Sequence, residues 1–186
     1  MLAEMEAFLL SPEIFWPITP RSPRGTPPFP RLSLGAYLLV LDELDAQANA
    51  LTPGETHSLA RLRVLVDRVD RKWPVALERK SKQEQRVRFN LWRGYLRDLG
   101  EGAETPHRYA YEVRHRVMFA RLSRYATPRN GAGSPPDGMR ALDRELRARF
   151  IPGGFIWDQA LMLRYPEGAY WFLYGRPAER EQKPAD

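Results

Sequence analysis

Glu112 and His115 stand at the i, i+3 spacing that puts a carboxylate and an imidazole on one side of a helix in di-metal carboxylate bundles. Such a centre needs a second pair of the same kind and two further glutamates. His57 has Gly54 where its glutamate would stand, and the chain has no cysteine. The expectation is an ordinary neighbour pair, no metal and no cofactor. Nucleophilic chemistry has as little to work with. Without cysteine the nucleophile would be serine, threonine or lysine, and no G-x-S-x-G elbow is present to expose one. Gly133-Ser-Pro-Pro-Asp-Gly138 has phosphate-loop glycine spacing, but Met139-Arg140 stands where Lys-Ser/Thr is required and the prolines remove amide donors. It reads as a linker.

Two carboxylate pairs, Asp42 with Asp45 and Asp67 with Asp70, have the spacing for acid–base or metal work. Each also lies beside arginines or on a polar helix face, where helical ion pairing accounts for it. An enzyme is therefore the last of the readings considered.

The basic residues form a more organised pattern. On a helical wheel with Arg79 at zero, Lys82 falls at about −60°, Arg86 at about −20°, Arg93 at about −40° and Arg97 at about 0°. Five cations thus share one strip, which spans about 27 Å on an unbroken helix. Stacked like charges disfavour a helix unless something answers them, and a phosphate backbone does so through counterion release. Pairing with acids of the same chain is the competing explanation. Residues 1–67 carry 5 basic against 8 acidic side chains, residues 68–129 carry 16 against 7, and residues 130–186 carry 8 of each. The excess of +6 therefore lies in the middle third, a charge distribution that speaks to partners rather than to fold. Lys72, Lys80, Arg71 and Arg88 stand near the strip, and Arg108, Arg114, Arg116, Arg121 and Arg124 follow on the next helix.

Aromatic residues gather at the other end. Residues 150–174 hold eight of them, read mainly as a clamp that closes the core. Trp157 and Trp171, with Trp16 near the N-terminus, are the candidate docking residues for a protein partner.

The elements that position these groups follow from periodicity and punctuation. Seven prolines between Pro12 and Pro30 make an extended arm, because proline fixes φ and removes donors. A first helix over 33–51 carries Leu34, Tyr37, Leu38, Leu41 and Leu44 on one face, with Asp42, Glu43 and Asp45 turned away. Thr52-Pro53-Gly54-Glu55 is a capping box with proline at N1. The second helix then lines up Leu59, Leu62, Val66, Val69 and Trp73, and Pro74 must kink or restart it. A third helix reaches Leu99, a fourth runs from Thr105-Pro106 to Tyr125, and a fifth spans 138–150. Beyond it lie a short helix near Asp158–Leu163 and an extended piece at Tyr170–Tyr174.

The sequence predicts an all-α chain with a single domain of four to five helices over 33–177 and a flexible linker near 127–138. A proline-rich N-terminal arm occupies 1–32, an aromatic-rich irregular segment follows the helices, and 178–186 is a frayed tail. Met1–Leu10 has no basic residue, and no apolar run approaches the ~20 residues of a membrane span. The expected setting is cytoplasmic, with no membrane contact. The expected function is non-catalytic: a helical accessory protein touching nucleic-acid phosphates through Arg79, Lys82, Arg86, Arg93 and Arg97. The alternative is a protein–protein adaptor or assembly subunit docking through its arm and aromatic segment.

Overall fold

The computed structural model describes residues 7–15, 32–102, 106–126 and 137–178. The chain is mostly helical, in the order α1 (Leu34–Ala46), α2 (Pro53–Lys72), α3 (Pro74–Glu101), α4 (Tyr109–Glu112), α5 (Arg114–Ala126), α6 (Asp137–Arg147), β1 (Phe150–Phe155), α7 (Glu167–Tyr170) and β2 (Tyr174–Pro177). Among the described residues, one compact unit takes those within Met1–Gln85 and Arg121–Ala132. A second takes those within Arg86–Ala120 and Gly133–Asp186. No helix of the described residues is long and apolar enough to cross a membrane.

In the first unit, Leu9, Leu34, Leu38, Val69, Ala76, Leu77 and Leu122 form the core, with Tyr37, Trp73 and Tyr125 packed against it. Both α1 and α2 begin with side-chain caps, the second the expected capping box, while the N-cap expected at Thr105 lies outside the described residues. Ser33 caps α1 by accepting from the Ala36 amide at 3.2 Å. Thr52 and Glu55 form the reciprocal capping box of α2, and the Thr52 hydrogen bonds hold the exposed Glu55 carboxyl below its ordinary range. At Pro74 the chain ends one helix and restarts another. Trp73, at φ −127° and ψ 45°, is the C-cap of α2. Leu77 then donates to Trp73 O at 3.0 Å to begin α3.

A buried polar network ties this unit together. Glu84 is 1% exposed and accepts from Ser33 Oγ at 2.7 Å and from the Gly35 amide at 3.0 Å. One α3 carboxylate therefore sits on the N-terminus of α1, where the helix dipole favours negative charge. Lys80, also 1% exposed, donates to Ser11 O at 2.8 Å and Glu13 O at 2.6 Å, and lies 4.3 Å from the centre of the Phe8 ring. The described part of the arm, 7–15, is thus anchored to α3, with Phe8 and Leu9 buried. The remainder of the arm, the 127–136 stretch and the 179–186 tail lie outside the described residues.

One expectation for α1 is corrected. Asp42 is not turned away: it is 2% exposed, and both its oxygens lie 2.8 Å from the Arg121 guanidinium. An internal arginine lets an acid occupy the core face.

In the second unit, Trp92, Leu96, Val113, Val117, Met139, Leu146, Phe172 and Leu173 are fully buried. The expected fourth helix is divided: Pro106–Arg108 is a 3₁₀ turn, α4 follows, and Val113 at ψ −18° links α4 to α5. The fifth helix stops at Arg147, so Phe150 is not helical but opens β1. The segment after it is not wholly irregular. β1 pairs antiparallel with β2, with Ile151 opposite Arg176 and a register shift between Pro152 and Phe155. Gly175 makes this pairing possible. Its φ is +135°, and a Cβ there would meet Ile151 O at 2.2 Å, so any side chain is excluded. The expected extended piece at Tyr170–Tyr174 is displaced, because Glu167–Tyr170 and Trp171–Leu173 are helical turns and the strand begins at Tyr174.

The aromatic residues close this unit as a clamp. Phe150 meets Trp171 edge-on at 5.2 Å, Tyr165 meets Tyr170 at 4.9 Å, and Tyr109 Oη donates to Phe172 O at 2.6 Å.

Candidate functional site

The five residues of the basic strip all lie on α3, one helix of 28 residues, and all five are exposed. Their surroundings differ. Arg79 donates to Leu10 O at 3.3 Å, and Lys82 pairs with Glu78 at 2.5 Å one turn away. Arg97 is held by Asp98 at 2.8 Å, whose hydrogen bond and charge raise the guanidinium above its ordinary pKa. Arg93 stands 5.5 Å from the centre of the Phe89 ring. Neither Arg86 nor Arg93 has an acidic partner among the described residues.

The neighbouring cations do not extend the strip. Lys80 is buried in the arm anchor, and Arg88 is 5% exposed and donates toward His115 Nδ1 at 3.3 Å. On α5 and the turn before it, the arginines are folded onto partners. Arg108 pairs with Glu112 at 2.7 Å, and Arg114 stacks on Tyr111 at 3.5 Å. Arg116 makes a two-pronged contact with Asp143 at 2.9 and 2.8 Å and stacks 4.6 Å from the Phe172 ring centre. Arg121 holds Asp42, and Arg124 approaches Asp70 at 3.9 Å. Asp42 of α1 and Asp70 of α2 thus meet Arg121 and Arg124 of α5. The candidate carboxylate pairs are separated in the same way: Asp42 faces Arg121, Asp45 pairs with Arg63, Asp70 accepts from Tyr125 Oη at 3.2 Å, and Asp67 is exposed.

Glu112 and His115 do meet, with His115 Nε2 at 3.6 Å from Glu112 Oε2. Arginine can only donate, so Arg88 at Nδ1 places the imidazole hydrogen on Nε2, toward the glutamate. Glu104 and His107 repeat the Glu-x-x-His spacing with Pro106 inside it. His107 lies in a 3₁₀ turn rather than an α-helix, and Glu104 is outside the described residues. Among the described residues, no three histidine or carboxylate groups are grouped as a metal set.

Burial, then the charges of Arg88 and Arg114, push His115 down from 6.5 to about 4. The unfolded chain therefore binds a proton between these values that the folded chain refuses, and stability falls as pH drops through that window. The loss totals about 3 kcal/mol at ~1.4 kcal/mol per pH unit, and above pH ~6.5 the group contributes no pH dependence. Denaturant unfolding at several pH values should show this acid-side slope in the wild type and a shallower one in His115→Gln. Equal slopes would assign the effect to other groups.

Of the candidate docking residues, Trp16 lies outside the described residues. Trp157 is half-buried, donates from Nε1 to Ala110 O at 2.8 Å and meets Tyr165 edge-on. Trp171, also half-buried, lies beneath Arg147 at 3.7 Å. The internal pairs Glu84–Ser33 and Arg116–Asp143 were not singled out in the sequence. Their signal is a wheel position: Lys80, Glu84 and Arg88 fall at about 100°, 140° and 180°, on the side of Leu77 and Tyr95.

Compared with known proteins, the chain matches no family model, no curated protein and no solved structure.

Proposed function

We propose that this is a non-catalytic helical accessory protein that holds nucleic acid by its phosphates, through Arg79, Lys82, Arg86, Arg93 and Arg97 on α3. The observation that carries this reading is the contrast between Arg86 and Arg93, on the strip of α3, and the acid-paired arginines of α5 and the turn before α4. Arg108, Arg116, Arg121 and Arg124 are each turned onto an acid, whereas Arg86 and Arg93 are exposed without one. Two unneutralised guanidinium groups one face apart suit phosphates, which arginine can grip with two parallel hydrogen bonds. The engagement of Asp42, Asp45 and Asp70 by basic or phenolic partners supports a structural rather than an acid–base role for those carboxylates.

Each phosphate contact in duplex DNA contributes about 0.9 to the slope of log affinity against log salt. Replacing Arg86 and Arg93 by glutamine should weaken binding similarly on all sequences and flatten that slope by nearly two units. Glutamine preserves helix propensity, so the fold should be retained. A wild-type protein that binds neither DNA nor RNA at low salt ends this reading.

The adaptor reading is favoured by a different observation. Ile151 is 55% exposed and, with Pro152, Pro106 and Tyr109, lines a cleft of about 370 Å³. Exposed apolar surface beside a cleft is a common mark of protein docking. This reading expects negligible nucleic-acid affinity and no special effect of the Arg86 and Arg93 substitutions.

A further inference from the structure

The middle of the α3 strip breaks the local rules of helix design twice. Asn90 is exposed and has no hydrogen-bond partner among the described residues. Gly94 follows it by one turn, and among the described residues no atom beyond its own stretch of helix lies within 4 Å of where its Cβ would stand. Asparagine and glycine are both weak helix formers, glycine the weaker. Glycine inside a helix usually serves a close contact, yet none of the described residues approaches this one. On the wheel they fall at about 20° and 60°, beside Arg86, Arg93 and Arg97. Asp98, which pairs with Arg97, stands at about 100°, on the edge of this face. Local rules broken without an internal reason concentrate where a chain meets its ligand.

The same helix also indicates which form of nucleic acid suits it. Single strands are held by exposed rings on which bases stack. The rings of α3 are turned inward: Trp92 and Tyr95 are buried, and Phe89 is half-buried near Arg93. Guanidinium groups around a bare stretch of helix backbone suit the ridge and groove of a duplex instead.

Resting on the phosphate reading above, we propose that the strip takes double-stranded nucleic acid and that the turn from Asn90 to Gly94 is its point of closest approach. Gly94 lets the helix backbone reach the sugar–phosphate ridge. Arg86, Arg93 and Arg97 hold phosphates around it, and the Asn90 amide faces the groove between them.

The proposal gives stability and affinity opposite signs in one substitution. Gly94→Ala and Gly94→Leu add a better helix former in open space, so the melting temperature should rise by about 2–4 °C. Affinity for a fluorescein-labelled DNA duplex should fall, by about tenfold for leucine, the scale of one lost specific contact. The single strand of the same sequence should bind more weakly than the duplex to the wild-type protein. If the wild type binds duplex in a salt-dependent way and both variants bind it equally well, the seating is wrong and the phosphate reading stands. A single strand bound as tightly as the duplex overturns the assignment to double-stranded nucleic acid. If the wild type binds neither, the phosphate reading fails and takes this proposal with it.

Discussion

Truncation of Glu84 to alanine should lower the free energy of unfolding by about 4 kcal/mol, the scale set by removing one partner from a buried charged network. Two donors lose an acceptor and one buried cation loses a nearby negative charge. Ser33 Oγ and the Gly35 amide, at 2.7 and 3.0 Å, lose the Glu84 oxygens that accept from them at the start of α1. The nearby Lys80 ammonium, 1% exposed, loses the negative charge that helps hold its proton against burial. Glutamine should cost roughly half as much. Its single carbonyl oxygen can accept one of the two hydrogen bonds but cannot neutralise the lysine. For a chain of this length a deficit of 4 kcal/mol corresponds to a fall of about 8–16 °C in melting temperature. Hydrogen exchange should report the same site, with faster exchange at the amides of the first turn of α1 than elsewhere in that unit. A melting temperature within a degree or two of wild type for both variants would show that the network carries no net stability.

Removal of the Arg116 side chain should destabilise the second unit by about 3 kcal/mol. Its guanidinium reaches both Asp143 oxygens and stacks on Phe172, and its side chain is only 6% exposed. Arg116→Met keeps most of the apolar stem and strands the Asp143 carboxylate against α5. The informative experiment is a double-mutant cycle with Asp143→Leu. Two apolar residues of suitable volume often replace a buried ion pair at little cost, so the double variant should recover at least 1 kcal/mol over the sum of the singles. Additive single effects would show that Arg116 acts through its packing on Phe172 alone. The reading also requires Tyr109 to be unaffected, since its hydroxyl is secured separately on Phe172 O.

The local decisions of this fold were legible because they depend on a few adjacent residues. Thr52, Pro53 and Glu55 specify a helix start from their own backbone and side-chain chemistry, and the capping box forms as read. Pro74 cannot donate an amide hydrogen and so divides α2 from α3. The fifth helix is expected from its bounds alone, and its buried face is Met139, Leu142 and Leu146. The β1–β2 hairpin was not legible. Phe150-Ile-Pro-Gly-Gly-Phe155 carries three residues that local propensity counts against a strand. Its pairing partners lie nineteen to twenty-seven residues on, beyond three short helical segments. What decides it is Gly175 passing so close to Ile151 O that only a glycine fits.

The candidate site divides along the same line. By itself the sequence placed Arg79, Lys82, Arg86, Arg93 and Arg97 on one helical face, because a 3.6-residue period is a property of any α-helix. Sequence proximity groups Lys80 and Arg88 with that strip, although with Glu84 they fall on the apolar side of the wheel, where charges require internal partners. Which partners they have was decided only by tertiary structure. Glu84 meets the start of α1 forty-nine residues away, and Arg116 meets Asp143 twenty-seven residues on. Asp42 is turned inward because Arg121 of α5 is there to receive it. Charge sign and helical phase are written in the local sequence. The pairing of opposite charges across tens of residues depends on distances that exist only once the helices have packed, and those pairings leave Arg79, Arg86 and Arg93 as strip cations without an acid among the described residues.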